Sequence, residues 1–310
     1  MRRISLALAL ASVSFALFLA PGTSPAGTLS VASWNINNLN HKTGQPLRGN
    51  APARTERDYE LLNHYRALLD ADVVALQEMG SPQAAARVFP QDEYTILFSS
   101  RYNTRPGEHR RKRDVFTALA VRKTVTILER QDLEALEFTH PDGHSSYTRY
   151  GVSALLEKDG RRFRVLALHL KSGCAKGSLQ NPTDEDCEIL ARQIPPLEHW
   201  IEEHHAQGIP LILMGDFNRR FDAHGPRDHL WADLDDDNPK DLDLKRLPFH
   251  QASQCPSHQG DDPIDFLIFD SNSWPLVNTS SFQELLYTPA DATHGDALSD
   301  HCPIKVQLHW

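Results

Sequence analysis

The segment LILMGDFN, residues 211–218, joins a run of four apolar residues to a carboxylate and a carboxamide. The apolar run predicts a buried strand. A core strand gains no stability from Asp216 and Asn218 at its end, because polar groups cost free energy when they leave water. Polar side chains in this place are expected where a site must hold a metal ion or a phosphate group in fixed geometry.

Further polar side chains lie at the ends of predicted strands in the same way. They are Asn35 (LSVASWNIN), Glu78 (DVVALQE), His169 (RVLALHL), Asp265 (IDFLIF), and Asp300 and His301 before PIKVQL. Strand alternation places His169 in one row with Val165 and Ala167, and it places Asp216 and Asn218 on one face if the extended geometry continues. We expect all of these side chains to face one rim of a sandwich.

The remaining chain predicts short strands, long polar loops and a few helices. Strands are expected over 29–37, 72–77, 95–98, 117–122, 152–157, 163–170, 209–214, 264–269 and 303–308. Helices are expected over 54–69 and 185–205, and Pro195 and Pro196 should interrupt or restart the second. This order of elements indicates two sheets packed face to face with helices outside.

Residues 1–26 predict a secretory signal peptide. Arg2 and Arg3 precede an apolar run that ends near small residues, and the run is shorter than a membrane span and is interrupted by serines. We therefore expect one mature domain over 27–310, secreted or periplasmic, monomeric and without stable membrane association. Its 30 basic and 41 acidic residues give a formal charge of −11, so any phosphate-binding surface must be local.

The four cysteines indicate disulfides, since an exported chain meets an oxidising environment. Cys174 and Cys187 lie close together across a polar loop, which favours their pairing and leaves Cys255 with Cys302. Three pairings are nevertheless possible, and the sequence does not choose among them. A zinc site is disfavoured because no pair has C-x-x-C spacing.

The polar residues at the strand ends suit the hydrolysis of a phosphate ester. A hard cation offsets charge on the phosphoryl oxygens, and Mg²⁺ prefers oxygen ligands such as Glu78 and Asp300, with Asn35 as a neutral ligand. A histidine held by a carboxylate suits a general base, which His301 and Asp265 provide. His169 and Asn218 are then candidates for stabilising the transition state.

Six ordered blocks, WNIN, LQE, ALHLKSG, MGDFN, IDFLIF and LSDHCPI, resemble the signature blocks of the endonuclease/exonuclease/phosphatase superfamily, the deoxyribonuclease I-like fold. The blocks run from Trp34 to Ile304, nearly the whole mature chain. The resemblance implies a four-layer αββα sandwich with two mostly antiparallel sheets. It also implies phosphodiester or phosphomonoester hydrolysis with Mg²⁺ or Mn²⁺, and Ca²⁺ is a further candidate as a structural ion.

The resemblance also implies roles for individual residues. Asn35 and Glu78 would hold the metal, with Asp300 near it. His169 would contact the scissile phosphate, and Asp216 and Asn218 would position the water and the phosphate. Asp265 would orient His301, which would act as the general base. Two assignments rest on a looser match: Arg149 as a phosphate contact and Asp114 as the acid that partners His169.

The favoured activity is that of an exported endonuclease that cleaves DNA or RNA. An arginine-rich loop over 101–113 predicts a local positive patch for a phosphate backbone. The alternative is a sphingomyelinase-like enzyme or a small-molecule phosphatase of the same superfamily. A lipid-active enzyme needs an apolar loop, whereas the long loops here are polar. If the chain were a non-catalytic binding protein with this fold, at least one signature block should be broken, and none of the six is broken.

Overall fold

The computed structural model describes residues 27–104, 115–140, 146, 148–292 and 298–310. The predicted signal peptide and Asp114 lie outside these residues, as does most of the arginine-rich loop. Within the described residues, twelve strands form two six-stranded sheets, in the orders β11–β12–β1–β2–β4–β3 and β5–β6–β7–β8–β10–β9. Each sheet has one parallel pair, β1 with β2 and β7 with β8, and its other pairs are antiparallel.

The strands of the first sheet are β1 (Thr28–Leu39), β2 (Val73–Met79), β3 (Tyr94–Phe98), β4 (Phe116–Arg122), β11 (Val277–Glu284) and β12 (Ile304–His309). Those of the second are β5 (Thr126–Leu133), β6 (Gly151–Lys158), β7 (Arg161–His169), β8 (Leu211–Asp216), β9 (Lys245–Leu247) and β10 (Asp265–Phe269). The helices are α1 (Glu56–Leu69), α2 (Pro82–Val88), α3 (Arg101–Thr104), α4 (Glu185–His205), α5 (His229–Leu234) and α6 (Pro289–Ala292).

Three groups of buried apolar side chains define four layers. The central group joins the facing sides of the two sheets and includes Val31, Val73, Val165 and Ile212. A second group packs α1 and α2 on the outer side of the first sheet, and a third packs α4 and α5 on the outer side of the second. The predicted αββα sandwich is therefore confirmed.

Strand alternation carries the central apolar rows directly into polar side chains. In β7, Val165 and Ala167 belong to the central core, and His169 follows in the same row. In β8, Met214 is followed in the same way by Asp216. Because Asp265 pairs with Asp216 across the antiparallel β10–β8 ladder, all of these polar groups meet at one rim of the sandwich.

The predicted interruption of the second helix is wrong, because α4 continues through Pro195 and Pro196. The carbonyl groups that lose their hydrogen-bond partners belong to Ala191 and Arg192, neither of which is buried. Ile194 and the other core-facing residues of α4 remain buried, so packing on the second sheet offsets the missing bonds.

Both favoured disulfides are present. Cys174, in the loop after β7, pairs with Cys187 in the first turn of α4, and Cys255 pairs with Cys302 beside β12. No helix in the described part of the chain is long and apolar enough to span a membrane.

Candidate active site

Asp216 lies at the centre of the polar rim. Its Oδ2 atom accepts a hydrogen bond from Asn35 Nδ2 at 3.1 Å, and its Oδ1 atom accepts one from the Asn218 backbone N–H at 2.8 Å. The same Oδ2 lies 3.6 Å from His169 Nε2 and 3.9 Å from His301 Nε2. Side chains predicted from three other blocks therefore converge on the carboxylate of the MGDFN block.

His301 is oriented by Asp265. Its Nδ1 lies 2.6 Å from Asp265 Oδ2, so the imidazole presents Nε2 toward Asp216. Asp265 Oδ1 is shielded from solvent and makes no hydrogen bond within the described residues. The pair has the geometry expected of a histidine base and the carboxylate that fixes its ring.

The backbone at the rim adopts unusual conformations. Glu78 and Asn218 have φ values of 61° and 53°, in the left-handed region that non-glycine residues rarely adopt. Extended geometry therefore ends at Asp216, and the Asn218 side chain turns to donate to the Leu170 carbonyl at 3.1 Å. Backbone strain of this kind is held where the surrounding structure fixes a functional side chain.

Gly215 is required by the close approach of β7 to β8. A Cβ atom at this position would lie 2.2 Å from the Leu168 carbonyl oxygen, well inside contact distance. The absence of a side chain thus allows β7 to bring His169 level with Asp216 in the parallel register. The glycine of the MGDFN block has a packing role in building the site.

A second part of the rim surrounds Glu78 on β2. Its Oε2 accepts from the Asn38 N–H at 3.0 Å and lies 4.0 Å from Arg48 Nη2. Arg149 is buried, and its pKa is lowered chiefly by burial, while the negative charges of Glu78 and Asp216 act in the opposite direction. The charges of Glu78 and Asp216 therefore act on Arg149, and its role as a phosphate contact stays a prediction.

The ionisation of the central groups is strongly perturbed. Burial, with a smaller contribution from the Asp265 charge, raises the pKa of Asp216 to about 7. Burial, with the positive charge of Arg149, holds the pKa of His169 well below 6.5. Burial acts to lower the pKa of His301, but Asp265, Asp216 and Asp300 outweigh it and raise that pKa well above 6.5. At the rim, His169 is therefore neutral, whereas His301 binds its proton tightly.

The donor set fits a divalent cation. In the described part of the chain, Asp216, Asp265 and His301 have ligand atoms within 4.8 Å of one another. Since His301 Nδ1 is engaged by Asp265, this group suits proton transfer better than a closed metal cage. Glu78 and Asn35, on neighbouring strands, would supply oxygen donors for such a cation, beside a buried carboxylate whose raised pKa it would relieve.

Several supporting residues were not predicted from the sequence. The Ser299 hydroxyl donates to the Asn35 carbonyl at 2.6 Å and accepts the His301 N–H at 3.1 Å. The Tyr287 hydroxyl donates to the His301 carbonyl at 2.7 Å and accepts from Trp34 Nε1 at 3.0 Å. Ser299 lies in the LSDHCPI block, so the sequence places it next to the site, whereas no sequence motif around Tyr287 indicates its role.

Arg54 joins two parts of the site through the backbone. Its Nη2 lies 2.9–3.0 Å from the carbonyl oxygens of Ile36, Asn37 and Leu298. One guanidinium thus links the end of β1, which carries Asn35, to the segment that carries His301. Burial lowers the pKa of Arg54 to about 10, so it remains charged at neutral pH.

One member of the arginine-rich loop has a different role from that expected. Arg101 is buried and its Nε donates to Glu137 at 2.8 Å, so it does not contribute to a positive surface patch. Asp114, expected to partner His169, lies outside the described residues. His169 Nδ1 is shielded from solvent and makes no hydrogen bond to any described residue.

The sequence profile of the Endonuclease/Exonuclease/phosphatase family matches residues 32–301. The chain belongs to this family. The match includes every candidate site residue from Asn35 to His301, and members of the family hydrolyse phosphoester bonds. No curated protein is similar enough to the chain to count as a match.

Solved structures share the fold at low sequence identity. The catalytic domain of human Nocturnin, with a bound sulfate anion, is 16% identical, with a TM-score of 0.58 over 90% of this chain and 93% of that one. Truncated TDP2 from Caenorhabditis elegans is 18% identical, with a TM-score of 0.58 over 91% and 98%. A mannosyl-6-phosphatase from Bacteroides thetaiotaomicron is 16% identical, with a TM-score of 0.56 over 90% and 98%. These likenesses establish the fold alone.

Proposed function

We propose that the chain is a divalent-metal-dependent phosphodiesterase, and that it acts as an exported endonuclease on DNA or RNA. The observation that carries this proposal is the convergence of His169 and His301 on Asp216 Oδ2, at 3.6 and 3.9 Å. Two imidazoles around one carboxylate can contact a phosphate group and a water molecule together. Family membership supports the reaction class, and the substrate is our inference.

The proposed mechanism assigns one task to each group. Asp265 orients His301, and His301 takes the proton of the attacking water. Asp265 then stabilises the imidazolium that results. His169, kept neutral by burial, donates a hydrogen bond to a phosphate oxygen, and Arg149 offsets its negative charge. Asp216 and Asn218 position the water and the phosphate. Glu78 and Asn35, with Asp300 near them, would hold Mg²⁺ or Mn²⁺, which would supply Lewis-acid stabilisation of the phosphoryl charge.

A specific observation favours the alternative substrate class. Phe249 is 58% exposed, and it follows Pro248, which lines the cleft beside His301. Exposed aromatic rings are what an enzyme that works at a lipid surface uses. In the part of the chain that the structure describes, however, no second aromatic ring is exposed to this degree, since Trp231 is buried and Trp274 is only partly exposed. Nucleic acid therefore remains the favoured substrate.

Plasmid cleavage by the purified, oxidised protein tests the proposal. Nicking is expected with Mg²⁺ or Mn²⁺ and should stop with EDTA or in Asp216→Ala. A folded, metal-loaded protein that leaves plasmid intact but hydrolyses sphingomyelin in vesicles would assign the alternative. A protein that hydrolyses neither substrate but releases phosphate from sugar phosphates would assign a small-molecule phosphatase.

A further inference from the structure

The loop over residues 40–54 leaves the end of β1 and leads to α1. It is built of turns and bends, and hydrogen bonds fold it back on itself. The Gly44 N–H donates to the Arg54 carbonyl at 2.8 Å, and Asn40 Nδ2 donates to the Gln45 carbonyl at 3.0 Å. The mechanism proposed above uses no side chain of this loop.

Leu47 and Arg48 bring the loop against the polar rim. Leu47 packs on Gly80, two residues after Glu78, where a Cβ atom would lie 2.7 Å from Leu47 Cδ1. The carbonyl of Arg48 accepts a hydrogen bond from the Ala51 N–H at 2.9 Å. The arginine is therefore held beside Glu78 by a packed leucine and a closed turn.

The guanidinium of Arg48 lacks a strong partner in this position. Its Nη2 lies 4.0 Å from Glu78 Oε2, which is beyond hydrogen-bond distance, and its Nε makes no hydrogen bond within the described residues. The side chain is 30% exposed, so a ligand at the rim can reach it. A guanidinium offers a planar fork of N–H donors that fits phosphate oxygens.

Arg48 lies among the groups assigned to the metal and to the phosphate. A positive charge at Glu78 opposes the binding of a cation to that carboxylate, so a metal alone does not explain the arginine. Burial is the main cause that lowers the pKa values of His169 and Arg149, and the positive charge of Arg48 adds to it in both. The charge of Arg48 therefore acts on both side chains to which a phosphate contact is assigned.

We propose that Arg48 binds a non-bridging oxygen of the substrate phosphate from the Glu78 side of the rim, together with His169 and Arg149. The proposal rests on the phosphoester hydrolysis proposed above and adds a residue that none of the six signature blocks contains. A phosphate between the cation and the guanidinium offsets their mutual repulsion and forms charge-assisted hydrogen bonds with Arg48. Substrate and metal should therefore bind cooperatively.

Three substitutions test the contact. Arg48→Ala and Arg48→Gln remove the charge, whereas Arg48→Lys keeps the charge without the fork of donors. We expect the KM for bis(p-nitrophenyl) phosphate and the inhibition constant of inorganic phosphate to rise about tenfold in the Ala and Gln variants, and less in the Lys variant. The change in kcat should be smaller than the change in KM.

Metal binding separates a phosphate contact from a role in holding Glu78. Isothermal titration of Mn²⁺ in the absence of phosphate should show equal or tighter binding in Arg48→Ala, because a repelling charge is gone. Arg162→Ala is the matched control. Arg162 pairs with Glu157 at 3.4 Å and lies at the opposite end of β7 from His169, so its loss should change none of these constants. Circular dichroism would confirm that each variant is folded.

The outcomes also separate this proposal from the proposed function. The proposal is overturned if KM and phosphate inhibition of the folded Ala and Gln variants stay within twofold of wild type. It is overturned equally if Mn²⁺ binding weakens as much as phosphate inhibition, since Arg48 then acts by holding Glu78. In either case an active wild-type protein retains the proposed function, whereas a wild-type protein inactive on both the small diester and plasmid removes both proposals.

Discussion

His301 and Asp265 are joined by a 2.6 Å hydrogen bond between Nδ1 and Oδ2, although 36 residues separate them in the chain. Asp265 begins β10 in the second sheet, while His301 precedes β12 in the first. The bond therefore spans the interface between the two sheets. The bond fixes the His301 ring, whose Nε2 faces Asp216. Its strength determines the pH at which that ring gains or loses a proton.

The pH dependence of the reaction should change when this bond is weakened. Because Asp265 raises the pKa of His301, a base at His301 becomes available only as pH rises above 6.5. Asp265→Asn removes that effect, so the midpoint of the acidic limb of kcat/KM should shift to lower pH while the maximum rate falls. A pH–rate profile of both proteins measures this, and an unchanged midpoint would argue against His301 as the base.

His301→Ala should lower kcat about 10²- to 10⁴-fold, the usual contribution of a general base. The fold should persist, because the ring lies at the rim rather than in an apolar core. Activity on a phosphodiester and thermal unfolding, measured together, check both statements. Near-full activity in a folded variant would show that another group, with Asp216 the first candidate, takes the proton.

Asp216 should make the metal-free protein less stable as pH rises. Its pKa is about 7 in the folded chain and 3.8 for an ordinary aspartate, so its contribution to stability is fully present below about pH 4 and is lost as pH rises to about 7. Asp216→Asn should remove this loss and, in EDTA, exceed wild type by about 1–4 kcal/mol more at pH 8 than at pH 4. Urea unfolding at several pH values measures it, and parallel pH dependences would contradict the buried-carboxylate account.

Gly215→Ala should destabilise the protein by about 1–3 kcal/mol and lower activity, because the new Cβ would press on the Leu168 carbonyl 2.2 Å away. Gly49→Ala is the matched control, since a Cβ there meets no atom within 4 Å. Denaturant unfolding of both variants gives the comparison. Equal stabilities would mean that β7 and β8 can separate without cost.

Tyr287→Phe should cost about 1–3 kcal/mol, because it leaves the buried Trp34 N–H and the His301 carbonyl without their partner. The rate should fall as well, since the His301 segment loses an anchor. Tyr94→Phe, which removes a buried hydroxyl bonded to the Ala71 carbonyl far from His301, should affect stability alone. Equal kcat in the two variants would show that Tyr287 has only a structural role.

The parts of the site that depend on local periodicity could be predicted from the sequence. His169 was placed by alternation with Val165 and Ala167, and this placement agrees with the structure because a period of two is a property of the strand itself. The prediction that extended geometry continues to Asn218 is wrong. Its left-handed backbone conformation depends on its surroundings, here the Leu170 carbonyl, and not on a local sequence pattern.

Contacts between distant segments could not be predicted. The edge-to-face contact between the rings of His258 and His301 depends on the Cys255–Cys302 pairing, one of three that were possible. The link from Arg54 to Leu298 depends on two loops that meet only after the sheets pack. In both cases the residues lack a sequence pattern because backbone carbonyls and ring edges accept many partners. Helix α4 shows the converse, since tertiary packing outweighs a strong local signal from its two prolines.

The strand order of the first sheet has a consequence for how the protein matures. Strand β1 lies between β2 and β12, so Thr28 is paired with His309 and the sheet is complete only when the two ends of the domain have met. Pairing over such a sequence separation closes slowly. Since Asn35 lies on β1 and His301 directly precedes β12, we expect activity to return during refolding only when this sheet has closed.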